Sequence, residues 1–253
     1  MWRVAVSALL LCCPPAAARS PVMTLASDVA APATTAGVQK LGANAFFYRP
    51  AAASTSPRPL IVLFHGAGMS ARNFLDGAKA EADRCDCLLL SVQSTGATWD
   101  TIGLVSAASR NGRAMRDDLF GADAGRVEQA LSIALRAPDA DHRAVVFAGF
   151  SDGASYALSL GLANPAIVRG VVAFAPGFHL EPAAIDPKQR LFIAHSPADQ
   201  ILSFERTRDD TVASLKKAGF DISFRQFEGG HRVDKTLLSE GVDFVLGRSR
   251  GTS

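Results

Sequence analysis

Gly149-Phe150-Ser151-Asp152-Gly153 is the stretch of this chain best suited to covalent chemistry. A serine alcohol attacks a carbonyl only when it is exposed, aligned and next to a base. The β-branched and apolar run 144–148 precedes the motif, and an Ala/Leu-rich helical pattern follows it. A sharp strand-to-helix turn between them would lift Oγ clear of the backbone, and the glycines would admit neighbouring chain without a Cβ clash. A second glycine-bracketed turn, His65-Gly66-Ala67-Gly68, closes the apolar run 60–64. Taken alone it is equally a plain strand ending. Paired with Ser151 it can aim the Ala67 N–H at a substrate oxygen, with the Asp152 N–H as second donor. Each donor would stabilise an oxyanion by about 3–4 kcal/mol.

A base and an orienting acid must then follow. His179, His195 and His231 are the histidines after Ser151. His231 lies in Phe227-Glu228-Gly229-Gly230-His231, past the last apolar run, where a glycine-flexed loop can bring an imidazole over Ser151. Asp199 lies in His195-Ser196-Pro197-Ala198-Asp199, just beyond the preceding run, where a carboxylate can accept from that imidazole. The order Ser151, Asp199, His231 is the one expected for a nucleophile elbow on a parallel sheet. Asp186 is the alternative acid, but it precedes its strand in a Pro-flanked loop. His195 reads as a hydrogen-bonded strand-end residue, with a place in the site as the other reading. His142 precedes the nucleophile strand and belongs to the opposite edge. The Asp152 carboxylate suits the first turn of a helix for dipole reasons, so only its N–H is given a role. Trp99 and Phe178 fall at the same edge of the sheet and are the candidate substrate contacts. Packing beneath a loop is the other reading for both.

The elements that must hold these groups alternate along the chain. Strands are expected at 45–48, 60–64, 87–92, 144–149, 168–174, 191–194 and 222–227. Helices are expected at 71–84, 124–136, 153–163, 204–218 and 235–246. Short apolar strands separated by helices imply an α/β fold, a mostly parallel sheet with helices on both faces. In such sheets reactive groups gather beyond the carboxyl ends of the strands. Residues 45–48 are expected to form an antiparallel edge strand, joined to the next by a hairpin connection over 51–59. Residues 175–190 are too few for a large helical lid.

One domain over 41–253 accounts for the pattern, and the 48% apolar content can fill its core. A formal charge of +2 without a basic block gives no footprint for nucleic acid. No apolar run reaches transmembrane length. Residues 1–18 have a short positive start, an apolar centre and a small-residue end, the layout of a secretory signal peptide. A secreted or periplasmic location follows. Residues 19–40 are rich in Ala, Pro and Thr and read as a flexible leader. Of four cysteines, Cys85 and Cys87 lie in the mature chain. Placed on a strand, they would sit about 6.6 Å apart at Cα, near the upper limit for a disulfide, so no bridge is expected.

Taken together, the His65–Gly68 turn, the Ser151 motif, the His195–Asp199 stretch and Gly230-His231 make the chain resemble the α/β-hydrolase serine esterases. It is most similar to their small phospholipase/carboxylesterase-type and polyhydroxybutyrate-depolymerase-type members. The resemblance implies a Ser151 nucleophile, a His231 base, an Asp199 orienter, and an oxyanion hole from Ala67 and Asp152. It also implies a small-molecule or oligomeric ester as partner, with no metal or cofactor. Ser196 departs from the glycine of many relatives, and 106–115 is shorter and less regular than theirs. A peptidase of the same fold and a non-catalytic binding protein are the competing functions.

Overall fold

The structure, a computed structural model, describes residues 21–116 and 118–248. The expected signal peptide lies outside the described residues. Eight strands form one sheet: β1 (Gly37–Leu41), β2 (Ala45–Arg49), β3 (Arg58–Phe64), β4 (Leu88–Val92), β5 (Ala140–Phe150), β6 (Val168–Phe174), β7 (Arg190–His195) and β8 (Asp221–Gln226). Their spatial order is β1-β2-β4-β3-β5-β6-β7-β8. β1 and β2 run antiparallel to their neighbours, and β4 through β8 pair in parallel.

Every residue of β3 and β4 is buried, as expected for parallel strands covered on both faces. The period of two sorts their side chains. Leu60, Val62 and Phe64 face one core layer, with Val127 and Tyr156. That layer is covered by α2 (Asp100–Arg110), α3 (Ala122–Ala134) and α4 (Asp152–Leu162). Ile61 and Leu63 face the other, beneath α1 (Ala71–Cys85) and α7 (Lys235–Leu246). Between β7 and β8 the chain forms α5 (Phe204–Arg206), a π-helical segment (Thr207–Val212) and α6 (Ala213–Lys217). Residues 175–189 contain no helix.

Four expectations are corrected. The strand at 45–49 is not an edge, because β1 pairs along its whole length, and its other neighbour is β4 rather than β3. The stretch read as a leader is therefore structured from residue 37. Upstream of it, Met23 is buried and its N–H donates to Asn164 Oδ1 at 2.7 Å, while Asn164 Nδ2 donates to the Pro21 carbonyl at 2.8 Å. The stretch 106–115 read as irregular begins inside α2, which ends at Arg110 and whose buried face is only Thr101, Val105 and Ala108, while 111–115 is turn and loop. Finally, Cys85 and Cys87 are joined by a disulfide. They do not share a strand: Asp86 between them is left-handed at φ 50, which folds the chain and brings the two Cα atoms to 5.3 Å.

Candidate active site

β5 delivers Ser151 to the rim of the sheet in a strained conformation, φ 57 and ψ −125, between strand and α4. Its N–H is fixed by the Phe174 carbonyl at 2.9 Å. The strain is tolerated because the flanking glycines let the backbone close up. A Cβ on Gly149 would collide with the Gly153 carbonyl, and one on Gly153 with the carbonyls of Phe64 and His65. The same closeness sets the start of α4 against the end of β3.

His231 follows β8 on a loop whose Gly229 and Gly230 have φ of 124 and 71, open to glycine at little cost. Its Nε2 lies 2.9 Å from Ser151 Oγ and its Nδ1 lies 2.7 Å from Asp199 Oδ2. Hydrogen bonding fixes the tautomer: a carboxylate only accepts, so Nδ1 carries the proton and Nε2 accepts from the serine hydroxyl. The Phe150 ring packs against the imidazole at 4.7 Å between centroids. Asp199 is wholly buried at its side chain. Burial pushes its carboxyl up, but hydrogen bonds from His231 and from the Leu202 and Ile201 N–H groups outweigh this and hold it below the usual range. It is therefore ionised at neutral pH. Asp186 instead turns back on the Lys188 N–H in its own loop.

The turn after β3 is held from several sides. Gly68, at φ 70, donates its N–H to the Ala97 carbonyl at 2.7 Å. Inside the turn the buried His65 ring lies 2.9 Å from the Gly66 carbonyl through Nδ1 and accepts the Ser94 N–H at Nε2, 3.2 Å away. Burial lowers its pKa, consistent with a neutral ring in both contacts. Ala67 is exposed at the tip. Asp152 is the first residue of α4, so its N–H has no acceptor within the helix. Its carboxylate accepts from Thr98 Oγ1 at 2.6 Å.

The two candidate substrate contacts are placed elsewhere. Trp99 is fully buried, stacked on Tyr156 at 4.5 Å, with its indole N–H on the His65 carbonyl at 2.8 Å. It is a support beneath the turn and not a pocket wall. Phe178 lines a separate hollow of about 280 Å³ with Met115, His179 and Thr211, and none of Ser151, Asp199 and His231 lines it. A hollow that does reach His231 is larger, about 400 Å³. It runs between α1 and α7 over Phe74, Gly77, Phe150, Val233 and Leu238.

Two further contacts escaped the sequence, and a third puts His195 in the site, the second of its two readings. His195 reaches Asp199 Oδ2 through Nε2 at 3.0 Å. Ser196, the departure from glycine, accepts the Gly230 N–H at 3.1 Å and so ties the His231 loop to the Asp199 loop. Ser155 Oγ, one turn into α4, accepts the Gly177 N–H at 2.9 Å. Only the proximity of His195 to Asp199 in sequence signals the His195 contact. Among the described residues no group of three His, Cys, Asp or Glu is placed to hold a metal ion, and no helix is long and apolar enough to cross a membrane.

The sequence profile of the phospholipase/carboxylesterase family matches residues 51–246. No curated protein matches the chain significantly in sequence. Among solved structures, the carboxylesterase of Bacillus cereus superposes with a TM-score of 0.57 at 18% identity, covering 80% of this chain and 93% of its own. The phospholipase/carboxylesterase of Dyadobacter fermentans gives 0.55 at 16% identity, with 85% and 100% covered. TT1662 of Thermus thermophilus gives 0.58 at 20% identity, with 85% and 98% covered. These likenesses show the fold, and the profile spans most of the chain. The chain thus belongs to the phospholipase/carboxylesterase family of α/β-hydrolases, and is a carboxylic-ester hydrolase.

Proposed function

We propose that the reaction is a two-step acyl transfer run by Ser151, His231 and Asp199. His231 takes the Ser151 proton as Oγ attacks the ester carbonyl. The oxyanion is held by the N–H groups of Ala67 and Asp152. His231 then protonates the departing alcohol, and water repeats the sequence on the acyl-enzyme. The observation that carries this reading is the unbroken contact from Ser151 Oγ through His231 to Asp199, at 2.9 and 2.7 Å.

The substrates in this reading are short-chain esters or ester units of an external polymer, approached from solvent. The absence of a helix over 175–189 supports an open site. The apolar hollow beside His231 supports an apolar alcohol portion, because the leaving oxygen must lie next to the imidazole that protonates it. A secreted or periplasmic location is part of the proposal. The Cys85–Cys87 bridge supports it, since disulfides persist in oxidising compartments.

A fluorophosphonate probe tests the reading. Wild-type protein should carry the covalent adduct on Ser151, and Ser151→Ala should take up no label and lose p-nitrophenyl acetate turnover while keeping its fold. Undiminished turnover in Ser151→Ala would overturn it.

A further inference from the structure

The acyl-transfer scheme leaves one buried imidazole of the site without a task. His195 ends β7 with a fully buried ring, and its Nε2 lies 3.0 Å from Asp199 Oδ2, the same oxygen that His231 Nδ1 reaches at 2.7 Å. The other oxygen, Oδ1, accepts the Ile201 and Leu202 N–H groups at 2.8 and 3.0 Å. Every hydrogen bond to the carboxylate except that of His231 therefore comes from the β7 end and its following turn.

We propose that His195 is a positioning residue, donating a proton held on Nε2 to Asp199 Oδ2 and so fixing the carboxylate plane that His231 needs. The proposal rests on the Ser151–His231–Asp199 reading above. A carboxylate torsion is broad and roughly two-fold, so hydrogen bonds at Oδ1 alone leave Oδ2 free to follow its partner. That partner rides on a glycine loop and is part exposed, at 18% of its side chain. His195 is anchored on the opposite side, by Thr207 Oγ1 at 2.8 Å and by the edge-on Phe204 ring at 5.9 Å. It passes the stiffness of the central sheet to an oxygen that would otherwise move with the loop.

Proton bookkeeping sharpens the assignment. The Thr207 hydroxyl has one hydrogen and two neighbours, His195 Nδ1 at 2.8 Å and the Pro176 carbonyl at 2.7 Å. If His195 were doubly protonated, Nδ1 would donate to Thr207, and Thr207 would donate to Pro176. A cation would then sit beside Asp199 and draw off the charge that should stabilise the His231 imidazolium. Burial of the ring favours the neutral form. In either form Nε2–H faces Asp199, because a carboxylate only accepts.

Amide side chains separate the two ring nitrogens. Glutamine places its N–H₂ near the imidazole Nε2 position, and asparagine places its own near Nδ1. We expect His195→Leu and His195→Asn to lose about tenfold or more in kcat on p-nitrophenyl acetate with KM within about twofold, a loss typical of a slightly misplaced group. His195→Gln should recover most of the loss. Equal rates for Gln and Asn variants, or a folded Leu variant at wild-type kcat, would overturn the proposal. Should the variants not fold, ¹⁵N-histidine NMR of the wild type and of Ser151→Ala decides. The expected spectrum has a proton on His195 Nε2 near pH 7. A bare Nε2 would overturn the proposal. The spectrum does not depend on whether Ser151 reacts, so failure of the parent reading is distinguishable from failure of this one.

Discussion

The Trp99 indole donates its N–H to the His65 carbonyl across 2.8 Å, from a position buried beneath the turn that carries Ala67. Trp99→Phe keeps an aromatic ring against Tyr156 and Phe64 but leaves that carbonyl without this donor. An orphaned buried acceptor costs about 1–3 kcal/mol. The midpoint of urea unfolding should fall accordingly. Because the turn also aims the proposed oxyanion donor, kcat should fall while KM for p-nitrophenyl acetate stays within about twofold. A variant with wild-type kcat would remove Trp99 from the support of the site.

The hollow between α1 and α7 can be filled from one position. A Cβ built on Gly77 meets nothing within 4 Å, so Gly77→Phe adds a ring to the groove without a backbone clash. Turnover of methyl esters should stay unchanged, whereas KM for esters of long-chain alcohols should rise about tenfold or more, the scale of one lost methylene contact. Equal effects on both substrates would exclude the groove as the alcohol site.

Stability should decline as pH drops from about 7.5 to 5.5. His65 and His195 are fully buried, and burial, the largest cause for each, holds their pKa below the ordinary 6.5. The unfolded chain therefore takes up protons below 6.5 that the native protein refuses, and stability is lost in that direction. The buried Asp123 carboxyl is pushed upward and acts with the opposite sign. Urea titrations at several pH values would measure the slope. A flat or rising profile between pH 7 and 6 would contradict the buried neutral histidines.

At the other end of the sheet, Asp139 bridges Arg49 and Arg58, whose exposures are only 6% and 3%. Arg58 keeps a second carboxylate in Asp86, but removing Asp139 leaves the Arg49 charge uncompensated, at a cost of about 3–5 kcal/mol. Asp139→Ala should lose that much stability with little change in kcat, since the triad lies at the opposite rim. Asp139→Asn keeps an acceptor and should lose less. Wild-type stability in the alanine variant would show that solvent already serves the Arg49 guanidinium.

What could be read from the sequence was local. The run 144–148, two glycines and a helical pattern define the Ser151 turn, because strand, turn and helix signals there all agree. The core strands were legible because burial on both faces makes them continuous apolar runs. β1 was not: Gly37-Val38-Gln39-Lys40-Leu41 is half polar, and its partner is what makes it a strand. α2 was missed because its helical face buries little. Trp99 stayed open between a pocket wall and packing beneath a loop, because its position after β4 says where the chain goes, not which way the ring turns. The Cys85–Cys87 bridge depends on one left-handed residue, Asp86, whose conformation its identity does not dictate. The link from His195 through Thr207 to Pro176 joins a strand end, a π-helical segment and a loop, and no spacing in a linear chain encodes it.

The family profile begins at residue 51, yet Pro21 and Met23 already clasp Asn164 at the end of α4, and Thr24 and Ala26 reach Glu128 and Ser132 on α3. Whoever trims the gene to the recognisable homology unit would therefore amputate two strands and a strap, baring the β4 edge and emptying the seat of a methionine. Expression boundaries for this protein belong upstream of Pro21.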